Sequence, residues 1–161
     1  MNRPTSLEML CCFVCIWAAF VLMNANGEIG PKELGKAESE RATSYRTTQI
    51  DALSIFYREA GPKDRPTLLL LHGLPSSSRM FEPLFSRLSD RYHLIAPDYP
   101  GFGHSDWPDP KKFAYTFDHI AEIMNHFTEA LGLSRYTLYM QDYGVPVGFE
   151  WRWRIRSGWK A

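Results

Sequence analysis

Residues 136–149 read YTLYMQDYGVPVGF. Residues 136–140 suit a strand, Gln141-Asp142-Tyr143-Gly144 suits a sharp turn, and Val145, Val147 and Phe149 open a helix. A tight strand-to-helix turn lifts one side chain above the sheet, provided nearby residues are small enough for the backbone to fold back. Gly144, two places after Asp142, meets that need, whereas Met140, two places before, does not. A serine at such an apex would point to acyl transfer. An aspartate presents a carboxylate that can attack an electrophilic carbon and form an alkyl-enzyme ester. Asp-Tyr-Gly also suits an ordinary turn, so the reading of Asp142 depends on what surrounds it.

Upstream, TLLLL at 67–71 is apolar without alternation, the pattern of a strand covered on both faces. Residues 92–96 (YHLIA) form a second such run. Between them, apolar residues at 80, 81, 84, 85 and 88 have helical spacing. After a loop dense in Gly and Pro, Thr116 offers an N-cap. Phe117, Ile120, Ile123, Met124, Phe127 and Leu131 then form a helical stripe that ends at Gly132. Residues 45–57, rich in Thr, Ile, Phe and Tyr, suit a hairpin at a sheet edge. Alternating strands and helices predict an α/β fold, a mainly parallel sheet with flanking helices. In such sheets ligands bind beyond the carboxyl ends of the strands. Three strand ends carry His72-Gly73-Leu74-Pro75, Pro97-Asp98-Tyr99-Pro100-Gly101-Phe102-Gly103 and Gln141-Asp142-Tyr143-Gly144.

Taken together, HGLPSSSRMF (72–81), PDYPGFGHSD (97–106), FDHIAEIMNHFTEALGL (117–133) and LYMQDYGVPVGF (138–149) resemble the haloalkane dehalogenase and epoxide hydrolase branch of the α/β-hydrolase superfamily. The resemblance implies the N-terminal half of that fold, with Asp142 as nucleophile. It also implies an oxyanion hole made by the backbone N–H groups of Leu74 and Tyr143, with His72 and Gly73 ordering the adjoining loop. The substrate would be a small molecule, a haloalkane or an epoxide. This chemistry needs neither metal nor organic cofactor, and no ligand cluster for one is visible.

Departures from the family pattern matter as well. Tyr143 stands where dehalogenases usually carry Trp, and Leu74 where they often carry Asn. Leu74 leans towards epoxide hydrolases, while Gln141 and the Pro75-Ser76-Ser77-Ser78 run lean towards dehalogenases. The family also needs an acid and a His after the nucleophile to activate water, yet all five histidines (72, 93, 104, 119 and 126) precede Asp142. The cap that shapes the pocket would also lie downstream. Residues 150–161 (EWRWRIRSGWKA) hold three Trp, three Arg and a Lys. They are read as an aberrant tail left by a frameshift or early stop, at which the helix is abandoned at Glu150; a basic-aromatic binding tail is the rival. On that reading the chain alone is inactive and marginally folded. A non-catalytic remnant, or a serine-dependent acyl hydrolase of the same fold, is the alternative; a strand-borne G-x-S-x-G is absent.

Lys and Arg number 18, as do Asp and Glu, so the formal charge is zero and nothing favours nucleic acid. Residues 9–23 form a fifteen-residue uncharged run after Arg3, with Glu8 in the preceding segment and Ala25 and Gly27 behind it. That pattern reads as a signal peptide over 1–27, and the run falls short of the roughly twenty residues of a stable membrane span. A short uncleaved anchor and a misassigned start are the competing readings. Export to periplasm or medium follows if the signal is genuine, a cytoplasmic place otherwise. Cys11, Cys12 and Cys15 all fall inside this run, so the rest of the chain offers no thiolate. Residues 28–42 read as a linker and 43–149 as the partial hydrolase domain. Asp98 is expected to be structural or at a pocket rim, and His119 and His126 to be solvated.

Overall fold

A computed structural model describes residues 41–157, with side chains described as far as 152. The segment read as a signal peptide and nearly all of the linker lie outside the described residues. Five strands, β1 (Ser44–Ile50), β2 (Leu53–Ala60), β3 (Thr67–Leu71), β4 (His93–Pro97) and β5 (Thr137–Met140), form one sheet in the order β1-β2-β4-β3-β5. The first two make the expected antiparallel hairpin, turning at Asp51, whose φ of 53° lies in the left-handed region that Asp tolerates. Strand β2 also runs antiparallel to β4, while β3 is parallel to both β4 and β5. One strand, β2, therefore opposes the other four, and the sheet is mixed but mostly parallel.

The uninterrupted apolar runs exist because both sheet faces are covered. Leu69 and Leu71 of β3 and Ile95 of β4 pack with Ile120, Met124 and Phe127 of helix α2 (Phe117–Ala130) and Val147 of helix α3 (Gly144–Ser157). Leu70, Leu94 and Ala96 point the other way, onto Phe81 and onto Phe85 of helix α1 (Glu82–Leu88). Successive strand residues face opposite sides, so these six residues of two adjacent strands feed two cores.

Helix α1 does not begin at residue 80. Ser78–Phe81 is a 3-10 turn, and the α-helix starts at Glu82 with Pro83 in its first turn, where a missing N–H costs nothing. Helix α2 begins as expected: the Thr116 hydroxyl accepts from the His119 N–H at 3.2 Å. Its stripe holds at Ile120, Ile123, Met124 and Phe127, but Phe117 is exposed. Side chains tilt towards a helix's N-terminus, so a residue in the first position reaches past the sheet instead of lying on it. His119 and His126 are half-buried and partnered, contrary to expectation. The first bonds the Ala114 carbonyl at 3.0 Å and stacks on Phe113; the second bonds Asp51 at 3.0 Å.

The expectation that the last helix is abandoned at Glu150 needs correcting. Helix α3 continues to Ser157. Trp151 lies four residues after Val147, hence on the same helix face, and is only 1% exposed. Its indole N–H donates to Asn125 Oδ1 at 3.0 Å, and its ring lies 5.6 Å from that of Tyr136. Strand β5 ends the sheet among the described residues. Leu138 and Met140 are half-buried against the core there, and Tyr139 is the exposed residue.

One polar cluster crosses four strands. His93 Nε2–H donates to Glu59 Oε1 at 2.8 Å, and the Thr67 hydroxyl bonds His93 Nδ1 at 3.3 Å. Glu59 also pairs with Arg46 at 2.8 Å and Lys63 at 3.5 Å. The bond from His93, helped by the charges of Lys63, His93 and Arg46, holds the Glu59 carboxyl below its ordinary value against the opposing effect of burial. A depressed native pKa adds stability above the unfolded-state pKa, and that stability fades as pH falls through the native value. The thermal midpoint is therefore expected to drop as pH goes below about 4, with a shallower drop in Glu59→Gln. Parallel pH profiles for the two proteins would contradict this.

Candidate active site

Parallel pairing of β3 and β5 puts Leu71 beside Met140, so the segments that follow these residues leave the sheet together. Gln141 N–H still bonds the Leu71 carbonyl at 3.2 Å, and Asp142 then takes φ 50°. A strained turn of this kind at a strand end is what exposes a side chain above a sheet. Gly144 lets the chain fold back: a Cβ there would lie 2.4 Å from the Leu71 carbonyl oxygen, a backbone atom with no freedom to yield. The second close approach is across the turn, where a Cβ on Gly73 would lie 2.6 Å from Asp142 Cβ. Met140 needs no small side chain of its own because its sulfur lies over Gly148. Gly144→Ala is expected to destabilise by about 1–3 kcal/mol as the turn is forced from β3. Urea unfolding measures it, and an unchanged midpoint would show that the turn is looser than described.

The Asp142 carboxylate is fully exposed, with its two oxygens in different settings. Oδ1 accepts the Leu74 N–H at 3.0 Å and the Tyr143 N–H at 2.7 Å. Among the described residues, nothing bonds Oδ2. These two donors, Leu74 first, hold the carboxyl below its ordinary value against a small opposing effect of desolvation. The group is thus an anion at neutral pH, one oxygen anchored and the other free.

The loops around it are fastened from beneath. His72 is buried; its Nδ1–H donates to the Gly73 carbonyl at 2.9 Å, and Nε2 accepts the Tyr99 N–H at 3.2 Å. Burial pushes its pKa down, so the ring is neutral. With both nitrogens engaged, His72 ties the 72–74 loop to the segment after β4. Asp98 proves to be a buried clamp. Its carboxylate accepts from the Ser78 N–H at 2.6 Å and the His104 N–H at 2.9 Å, and its carbonyl from the Ser105 hydroxyl at 2.7 Å. A Cβ on Gly103 would collide with that carboxylate, which gives the Gly-rich loop a packing reason that its composition alone did not reveal.

Structure thus brings Gly73, Leu74, Asp142 and Tyr143 together, with His72 directly beneath. Sequence reasoning missed Phe117, whose ring meets that of Tyr143 edge to face at 5.1 Å. None of the five histidines is bonded to Asp142 among the described residues. His104 is likewise away from it, its ring 4.9 Å from that of Phe56. A cavity of about 1050 Å³ opens at the amino ends of the strands, lined by Glu59, Thr67, His93 and Thr137, and includes none of the Asp142 group.

The family pattern of the alpha/beta hydrolase fold matches residues 66–151, from the start of β3 to the buried Trp151. The chain belongs to the α/β-hydrolase family. The match extends two residues past Phe149, consistent with α3 continuing beyond that point. Among relatives of this chain is an uncharacterized hydrolase of Saccharomyces cerevisiae, 44% identical over 100 residues, covering 62% of this chain and 34% of that protein. A haloalkane dehalogenase of Bradyrhizobium diazoefficiens is 40% identical over 106 residues, covering 65% and 33% of the two chains. The solved haloalkane dehalogenase DbeA of Bradyrhizobium elkanii superposes with a TM-score of 0.65 at 30% identity, over 71% of this chain and 38% of that one. The chain spans about a third of the length of the curated relatives it matches.

Proposed function

We propose that this hydrolase acts through Asp142 as a nucleophile on small molecules carrying a displaceable group on carbon, with an alkyl-enzyme ester as the first product. The observation that supports it is the division of labour in the carboxylate: Oδ1 held by two N–H groups, Oδ2 free. In the first step Oδ2 attacks carbon in line, the carbon–halogen bond breaks and halide leaves with its electron pair. No proton moves. The anchored Oδ1 becomes the ester carbonyl oxygen. When water later attacks that carbonyl, charge develops on Oδ1, where the Leu74 and Tyr143 N–H groups already point. His72 and Gly73 serve by fixing the loop that carries Leu74.

An epoxide is the second reading, favoured by Leu74, whose side chain offers no donor to a halide. Ring opening forms the same ester but needs a proton for the alkoxide.

The test is to incubate the protein with 1-bromobutane and, separately, styrene oxide, then map peptides by mass spectrometry. A butyl or phenyl-hydroxyethyl group on the Asp142 peptide is expected from one reagent or both, and which one reacts identifies the leaving group. Asp142 left unmodified by both would sink the proposal. Hydrolysis needs an activated water. Since no described histidine hydrogen-bonds to Asp142, the adduct is expected to accumulate in this chain instead of turning over.

A further inference from the structure

We infer that Phe117 is a specificity-determining residue of the Asp142 site, making with Tyr143 an aromatic shelf that receives the hydrocarbon part of the electrophile. The inference rests on the nucleophile assignment above and deepens it. Three large apolar side chains are exposed around one carboxylate: Leu74 at 46%, Tyr143 at 40% and Phe117 at 37%. Leu74 and Tyr143 are tied to Asp142 Oδ1 through their own N–H groups, so their side chains start beside the reacting carboxylate. Phe117 comes from a different element, in the first position of α2, and sets its ring edge to face on Tyr143 at 5.1 Å.

Position in the helix explains why Phe117 is available. The Thr116 cap fixes where α2 begins, and the rest of the stripe is buried from Ile120 onward. One turn earlier the same stripe runs off the sheet at its carboxyl end, where Asp142 stands. Exposed aromatic surface that meets a second ring has a defined orientation, unlike an isolated surface phenylalanine. It offers an alkyl chain a flat apolar wall beside the reacting carboxylate, and the Phe117 ring carries no hydrogen-bonding group for a polar substituent. The substrate class is therefore an electrophile with an apolar chain of several carbons, in preference to a short or polar one.

A homologous series tests this. A buried methylene contributes about a fourfold gain and one lying on a single apolar face about twofold. For the wild-type chain, the rate constant for alkylation of Asp142, followed by peptide mass spectrometry, is expected to rise about sixteenfold from bromoethane to 1-bromohexane. In Phe117→Ala this hexyl-to-ethyl ratio should fall to about fourfold or less. Phe117→Leu, which keeps an apolar surface and a similar volume, should retain most of it; this second variant guards against a folding defect in the alanine protein. Because the readout is a ratio within each protein, a general loss of folded material cancels. A flat wild-type series, or an undiminished ratio in Phe117→Ala, overturns the role of Phe117 while leaving the nucleophile intact. Absence of any adduct on Asp142 in the wild type overturns both.

Discussion

Asp142→Asn is expected to slow ester formation at residue 142 by about a thousandfold or more, the scale on which loss of an enzyme nucleophile is felt. The substitution isolates chemistry from structure. The amide is nearly the same size as the carboxylate, and its oxygen can still accept the two N–H groups that now reach Oδ1. Residue 142 sits at φ 50°, a conformation that Asn and Asp tolerate better than other non-glycine residues. Asp142→Ala would mix backbone strain with lost chemistry; the asparagine does not. What disappears is the anionic lone pair on Oδ2, and a neutral amide attacks saturated carbon far more slowly. The measurement is butylation of the residue-142 peptide and bromide release, taken promptly after purification so that deamidation does not regenerate aspartate. Equal rates in the two proteins would exclude Asp142 as nucleophile. The pH profile gives a second handle. With its carboxyl held below the ordinary value by Leu74 and Tyr143, wild-type alkylation should persist as pH is lowered through the usual carboxylate range.

Much of this site was legible in the sequence because the features that build it are local and chemically unambiguous. TLLLL can hardly be anything but a doubly covered strand, and a Thr followed by a 3.6-residue apolar stripe names its own helix start. Asp142 followed two places later by glycine marks a turn with one raised side chain. What escaped were properties that depend on two distant segments meeting. The Asp98 clamp joins residues 78, 98, 104 and 105, and a lone Asp after a strand carries no sign of that. Glu59 and His93 become neighbours only because β2 and β4 are adjacent in the sheet. Phe117 has the right spacing to be core and is exposed because the sheet ends beneath it. Periodicity says which face of a helix is apolar, but not how far the opposing surface extends.

The same distinction explains the error at the other end of the domain. A stretch with three Trp, three Arg and a Lys in twelve residues looks alien beside an α/β core, and composition argued that the helix should stop. Helix formation, however, is decided residue by residue. Arg is a good helix former and Trp an acceptable one, so nothing in residues 150–157 obliges α3 to end. Whether such a helix stays docked depends on one face, and there the spacing is right: Val147 and Trp151 are both buried.

Trp151→Ala is accordingly expected to destabilise the domain by about 3–5 kcal/mol, the cost typical of deleting a buried indole. Three contacts are lost together. The ring leaves a void among Val147 and its neighbours in the core shared with α2. The packing against Tyr136, 5.6 Å away, is lost, and so is the indole N–H that satisfies Asn125 Oδ1 at 3.0 Å. Asn125 keeps its own donor on Glu129 at 2.8 Å, so the second helix is loosened, not unpinned. Trp151→Phe separates these effects: it retains most of the apolar volume and removes the donor, so a loss nearer 1 kcal/mol is expected, the worth of one hydrogen bond. Denaturant unfolding monitored by far-ultraviolet circular dichroism gives both numbers, and Trp107, 74% exposed, remains as an internal fluorescence reference. A neutral Trp151→Ala would mean that residues beyond Glu150 do not pack on the domain. A loss of several kcal/mol, with Phe intermediate, would place Trp151 among the residues that hold the nucleophile turn's own helix against the sheet.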